Sequence, residues 1–167
     1  TSGTVSIDSL DSKNRKGIFY PLQTFTKNKA VDFSSIPICL ESENESDFEL
    51  LKNVAESISN AVFKINSEQR KVLHVSAVFV NNFVNHLYQM GQEICIENKV
   101  PFEILKPLIL ETANKIMTLS PAAAQTGPAK RNDTQTIEAH LAILTNENQA
   151  TIYKILTQSI QNNGKKL

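Results

Sequence analysis

Apolar and polar positions alternate in two different ways along this chain, and the change comes near residue 66. Before it the apolar positions fall in short runs. Gly17-Ile-Phe-Tyr-Pro-Leu-Gln-Thr-Phe25 reads as a strand running into a turn, with Pro21 marking a strand end because proline cannot donate to a ladder. Ile36–Glu41 and Ala61–Ile65 read as two further strands. Between them Phe48, Leu51, Val54, Ala55 and Ile58 share one helical face, with Asp47 as the expected N-cap. Val5–Leu10 suits a short helical turn, and 11–16 and 26–35 are polar loops. Strands alternating with a helix predict part of an α/β sheet.

After residue 66 only the helical period remains. The stretch Ser67–Asn98 dominates it, capped by Asn66 or Ser67. Val72, Ser76, Phe79, Phe83, Leu87, Met90 and Ile94 recur at i+3 and i+4, which predicts a face buried against something large. At 1.5 Å per residue this helix would be about 48 Å long. Ser67, Arg70, Lys71, His74, Asn81 and Asn85 fall on the opposite side, with Asn82 on its flank. Pro101 suits the first position of the next helix, whose inward residues are Leu105, Leu108, Ile109, Ala113, Ile116 and Met117; Pro107 predicts a kink. Residues 119–133, with two prolines and a glycine, read as a long connection of the kind that carries function. Asp133 caps a helix through Leu144, and a last helix runs from Glu147 to Gln161 with Ile152, Ile155, Leu156 and Ile160 inward.

Composition narrows the classes of function. The chain has 167 residues, 17 Lys plus Arg and 17 Asp plus Glu, so its net charge is zero. That balance gives no basic surface for nucleic acid or anionic membrane. No apolar run is long enough for a membrane span and none reads as a signal peptide. Cys39 and Cys95 are isolated in apolar contexts and make no disulfide framework; a reducing cytoplasm is the expected location. The abrupt opening, Thr1-Ser-Gly-Thr-Val-Ser-Ile-Asp8, reads as the middle of a fold.

Three loci offer chemistry, since glycine-rich phosphate loops, zinc-ligand spacings and serine-nucleophile elbows are missing from the sequence. The first is His74 with Asn81, Asn82 and Asn85: an imidazole exchanges protons near neutrality, and amides one or two turns on can orient a carbonyl or hydroxyl. The bland alternative is a wet helix face or a structural histidine. The second is Thr126-Gly127-Pro128-Ala-Lys-Arg131, a Gly-Pro turn with Lys130 and Arg131 able to hold an anion, or else an ordinary turn before a capped helix. The third is Pro21–Phe25 with Gln23, at the strand end where open α/β sheets bind ligands, or else a plain sheet-edge turn. His86 and His140 read as surface or structural residues. Helical spacing places His74 and Asn81 on one side, and the three loci are expected to meet in one pocket.

Phe19-Tyr-Pro-Leu-Gln-Thr-Phe25, residues 67–83 and residues 120–133 together resemble the carboxyl-terminal part of an uncharacterised bacterial family. Its members join an NADP-binding Rossmann domain to a helical domain of unknown function, and are similar to deazaflavin-dependent NADP oxidoreductases and pyrroline-carboxylate reductases. The resemblance implies that residues 1–65 end a Rossmann-like α/β domain. It implies that residues 66–167 form an all-α domain similar to the carboxyl-terminal part of 6-phosphogluconate dehydrogenase, with substrate-binding and dimer-forming roles. The implied activity is NAD(P)-dependent oxidoreduction of a small carbonyl or imine metabolite, with NADP bound mainly by a part outside this sequence. Candidate catalytic residues are then His74, Asn81 and Asn82, and candidate substrate-binding residues Gln23, Thr126, Gly127, Pro128 and Arg131; no metal is expected and the cofactor-binding residues stay unassigned. One departure stands out. Related hydroxyacid dehydrogenases carry a Lys three residues before an Asn-Asn pair on the long helix, and Val78 occupies that position here. A non-catalytic dimeric protein that binds a metabolite or nucleotide is the alternative. The helices of residues 67–162 carry more apolar surface than they can cover for one another, so a homodimer is expected.

Overall fold

The computed structural model describes residues 3–164. The chain divides into two compact units, one up to Val84 and one from Asn85 on.

The first unit is built on a three-stranded sheet of order β1-β2-β3, with β1 Gly17–Pro21, β2 Ile38–Ser42 and β3 Val62–Lys64. β1 runs antiparallel to β2, and β3 runs parallel to it. Helix α1, Glu45–Glu56, makes the crossover between the two parallel strands. Strand alternation sorts the side chains onto two faces. Ile38 and Leu40 face α1 and pack with Phe48 and Ala55, with Phe19, Leu51 and Val62 around them. The opposite face carries Ile18 and Tyr20 of β1 beside their partners Glu41 and Cys39 of β2. Ile18, Ile38 and Leu40 are fully buried.

The strand ends at Pro21, as expected. One correction concerns this unit. Asp47 does not cap α1: Asn44 does, its Oδ1 accepting from the Asp47 N–H at 2.9 Å. Asp47 sits in the first turn, buried, where its carboxylate pairs with Arg15 and accepts from Asn44 Nδ2 at 2.9 Å. Both residues are good caps, and the ion pair with Arg15 draws Asp47 inward.

The second sheet face is covered through the start of helix α2, Ser67–Ala77. Asn66 caps it in a full capping box with Gln69, which satisfies two of the orphan donors of the first turn. Glu41 projects from β2 to the same end. Its carboxylate accepts from the Ser67 N–H at 2.8 Å, from Ser67 Oγ at 2.7 Å and from Arg70 Nη1 at 2.6 Å. A carboxylate at a helix N-terminus meets both the unpaired N–H groups and the positive end of the dipole. Arg70 is 1% exposed and also donates to the Val5 carbonyl, while Ser67 Oγ accepts from the Ile7 N–H at 3.0 Å. The segment before β1 is thereby tied to α2. A π-helical segment, Val78–Phe83, follows α2 and ends this unit's helical part.

The second unit is helical: α3 Val84–Glu97, α4 Lys106–Lys115, α5 Pro121–Ala124, α6 Pro128–Arg131, α7 Thr134–Ile143 and α8 Glu147–Gly164. Pro101 precedes a 3-10 turn, Phe102–Leu105, rather than opening an α-helix, and Pro107 sits in the first turn of α4 instead of kinking it. Proline is tolerated there because its missing N–H would be unpaired anyway. The 119–133 connection contains the short helices α5 and α6 instead of being one loop. Asp133 caps α7 as expected, accepting from the Thr136 N–H at 3.1 Å. The expected burial of the long apolar stripe is only partly met. Met90 is buried, but Val72, Phe79 and Phe83 are 68%, 62% and 50% exposed. Leu108, Ile116, Met117 and Ile155, expected inward, are exposed too.

Candidate functional site

Within the first unit, one cavity of about 350 Å³ gathers Gln23, His74, Asn81 and Asn82. That volume lies in the range of small-molecule sites, about 300–1,000 Å³. The walls are mostly apolar, with Leu22, Leu73, Val78 and Val80, and with Tyr20, Thr24 and Ser76 as further polar members. The turn after β1 supplies Gln23 and Thr24, and α2 with the π segment supplies the rest. Gln23 Oε1 accepts from the Thr24 N–H at 2.8 Å, which folds the amide over its own turn.

The π segment explains how neighbouring asparagines come to share a wall. Successive side chains of an α-helix diverge by about 100°. A π turn holds more residues and rotates less per residue, and such turns recur at functional sites. Asn81 and Asn82 stand exposed to solvent rather than buried among apolar neighbours. The Phe79 and Phe83 rings pack edge to face across the same turn, with centroids 5.1 Å apart.

His74 is half-buried, one turn beyond Arg70 on α2. Its Nδ1 lies 3.5 Å from the Tyr20 hydroxyl. Gly3 presses on the same ring: a Cβ built there would fall 2.6 Å from Nδ1 and 2.7 Å from Cγ. Only glycine fits that approach. Burial pushes the Tyr20 hydroxyl above its ordinary range, Cys39 adds to this and Arg70 opposes it. The phenol therefore stays protonated near neutral pH.

Neither Tyr20 nor Gly3 was among the candidates from sequence. Strand alternation carries a signal for Tyr20, which must point away from Phe19 and so toward the sheet face that α2 covers. Nothing in the pattern around Gly3 points to His74, 71 positions away.

Thr126, Gly127, Pro128 and Arg131 belong to the second unit. Gly127 adopts φ 101°, a backbone that favours glycine, and Pro128 opens the four-residue α6. Arg131 Nη2 lies 3.8 Å from Asp133 Oδ2. The Thr136 N–H and hydroxyl hold the Asp133 carboxyl below its usual range. The second unit also has a cavity of its own, about 440 Å³, walled by Met90, Gly91, Ile94, Leu144, Ile152 and Leu156. Its polar members are Gln149 and a pair formed by His140 and Tyr153, with Nδ1 and the hydroxyl 2.9 Å apart. His140 is thus partnered rather than alone. Among the described residues no group of His, Cys, Asp and Glu is arranged to hold a metal ion, both cysteines are buried free thiols, and no helix is long and apolar enough to cross a membrane.

Residues 36–160 match the family described as a domain of unknown function, DUF2520. The chain belongs to this family. The match includes α2, the π segment and the Thr126–Arg131 turn, whereas Tyr20 and Gln23 precede it. Two solved structures extend the likeness across nearly the whole chain. A protein of Bacteroides fragilis, provisionally named an NADP oxidoreductase, is 40% identical with a TM-score of 0.92, over 97% of this chain and 63% of that one. A protein of Thermotoga maritima whose name states no activity is 26% identical with a TM-score of 0.78, over 98% of this chain and 67% of that one. The chain thus spans about two thirds of the length of either structure. No curated protein matches it.

Proposed function

We propose that this chain is the substrate-binding and dimer-forming portion of an NADP-dependent oxidoreductase that acts on a small carbonyl or imine metabolite. The observation that carries this reading is the single cavity joining His74, Asn81, Asn82 and Gln23 in an otherwise apolar wall. The likeness to the provisionally named NADP oxidoreductase supports it. Residues 1–65 are then the end of a Rossmann-like domain, and residues 66–167 a helical domain similar to that of 6-phosphogluconate dehydrogenase.

The residues of this chain do not fit NADP as a whole. The sequence has no glycine-rich phosphate loop, and the cavity suits a small metabolite better than a dinucleotide. Its binding is assigned mainly to residues outside this sequence, where the nicotinamide would supply hydride chemistry. What this chain offers is substrate positioning. His74 exchanges a proton with the reacting oxygen or nitrogen, the Asn81 and Asn82 amides orient it, and Gln23 adds a further amide to the cavity wall. Thr126, Gly127, Pro128 and Arg131 are further substrate-binding candidates of the same reading. Val78 at the position of the related dehydrogenases' lysine favours the second reading, a non-catalytic dimeric binding protein.

A homodimer is part of the proposal. Its support is the helical surface: α4 buries none of its residues, and Leu108, Leu110 and Met117 stand 61%, 62% and 82% exposed. Isolated helices shorter than about 12–15 residues are marginal in water, so α4 needs a surface to lie on. The test is NADPH oxidation by the full-length protein, followed by absorbance with a panel of small ketones, aldehydes and cyclic imines. Turnover with one chemical class is expected. Saturable binding of such compounds without any turnover would move the assignment to the binding protein.

A further inference from the structure

The ring of His74 has two nitrogens with different surroundings, and this difference decides what the cavity can bind. Nδ1 faces Tyr20 at 3.5 Å and is walled by the Gly3 backbone. Nε2, at the other end of the ring, has no hydrogen-bond partner among the described residues, and His74 lines the cavity. The Tyr20 hydroxyl has no other hydrogen-bond partner among the described residues. If Nδ1 carried the proton, the half-buried phenol proton would have no protein acceptor among the described residues and could turn only to water in the cavity that Tyr20 lines. The arrangement that pairs the phenol proton within the protein has the phenol donating and Nδ1 accepting.

We propose that Tyr20 is a positioning residue for His74: its hydroxyl donates to Nδ1, so the neutral imidazole carries its proton on Nε2 and presents an N–H donor to the cavity. The tautomer of a histidine is set by the bond its other nitrogen makes. The separation is at the long end for such a bond, and contacts of this kind tighten when a ligand fills the site. Resting on the reading of this cavity as the substrate site, the consequence is a substrate class. The group that meets His74 is a hydrogen-bond acceptor, as a carbonyl oxygen or an imine nitrogen is, and not an ammonium, which can only donate. The tie from Arg70 and Ser67 to Val5 and Ile7 contributes by holding the segment that carries Gly3 onto α2, so the ring has little room to flip.

The experiment is long-range proton–nitrogen correlation NMR on the full-length protein labelled with nitrogen-15 in histidine. It is run at about pH 8.5, above the ordinary imidazole range, and the His74 signals are assigned by their loss in His74→Gln. The wild type is expected to show one tautomer, with Nε2 protonated and Nδ1 bare. Tyr20→Phe keeps the ring packing and removes the donor, so the two tautomers should mix and both nitrogen shifts should move toward their mean. Gly3→Ala, which keeps the hydroxyl but displaces the imidazole, should produce the same mixing. A wild-type proton on Nδ1, or tautomer populations unchanged in both variants, would overturn the proposal. The signals are read without substrate, so a failure of turnover bears on the functional reading alone and leaves this one standing.

Discussion

The two units solve the problem of burial differently. The first has a sheet core of its own, although Val72, Phe79 and Val80 on its helical end are 68%, 62% and 73% exposed. Ile18, Ile36, Ile38 and Leu40 are at most 1% exposed, and a buried ion pair of Glu41 and Arg70 locks α2 to the sheet. The second keeps few residues out of water: Met90, Cys95, Ala129 and Gln149 are buried, while Ile104, Leu108, Leu110, Met117 and Ile155 are more than 60% exposed. Apolar content is therefore a poor guide to which part of this chain is stable by itself. What separates the units is the core between the sheet and α1, because apolar helix faces stand exposed in both. The candidate site sits in the unit with its own core, where a framework can hold side chains in place.

The contrast is broken most severely at Glu41. Glu41→Ala removes the acceptor for Ser67 and strands the Arg70 charge, and breaking a buried pair this way costs about 3–5 kcal/mol. Urea unfolding followed by circular dichroism should show the first unit lost first. A loss below about 1 kcal/mol, the scale of an exposed pair, would mean that the clamp is not what holds α2.

Leucine truncations measure the same contrast at paired sites. Leu40→Ala is expected to cost about 2–5 kcal/mol through cavity formation. Leu108→Ala should change the stability of the monomer by less than about 0.5 kcal/mol, the usual range for exposed positions, and should weaken self-association in analytical ultracentrifugation. Equal effects at the two sites in dilute protein would erase the distinction between the units.

Gly91 sharpens it further. The glycine lies in α3, and a Cβ there would meet nothing within 4 Å. With room for the methyl, Gly91→Ala should stabilise by about 0.5–1 kcal/mol. Destabilisation, measured by thermal unfolding at a concentration where the protein associates, would show that something packs against that backbone.

Much of this was legible in the sequence, and the misses share a cause. Helical spacing placed His74 and Asn81 on one side because a period survives without tertiary information, and Asn66 and Asp133 acted as caps because their chemistry is local. The start of α1 was missed because Asn44 and Asp47 are both competent caps and a residue 32 positions away, Arg15, decides between them. The π segment has no hydrophobic period of its own, so Val78–Phe83 read as ordinary helix. The stripe from Val72 to Phe83 was read as buried because amphipathicity reports that a face needs cover, not that the same chain supplies it. Gly3 against His74 is a contact of the folded chain alone.

The smallest expected effect is at Asp133. Its carboxyl is held below the usual range by Thr136, so the folded pKa is depressed. The stabilisation of α7 is then present above the unfolded pKa, about 3.9, and fades as pH falls through the folded value. The Thr136 amide should lose its hydrogen-bonded chemical shift only in that acid window. A midpoint at or above the ordinary Asp value would contradict the cap's role.

The central claim is that the His74 cavity does the work of this chain. The most direct measurement is the single-turnover rate of NADPH oxidation by the full-length protein, with its best carbonyl or imine, for the wild type and His74→Gln. A positioned acid or base contributes about 10²–10⁴-fold. The account predicts a fall in that range, with the far-ultraviolet circular dichroism and the association state unchanged. A rate within about threefold of the wild type, well short of that contribution, would contradict it and return His74 to a structural role.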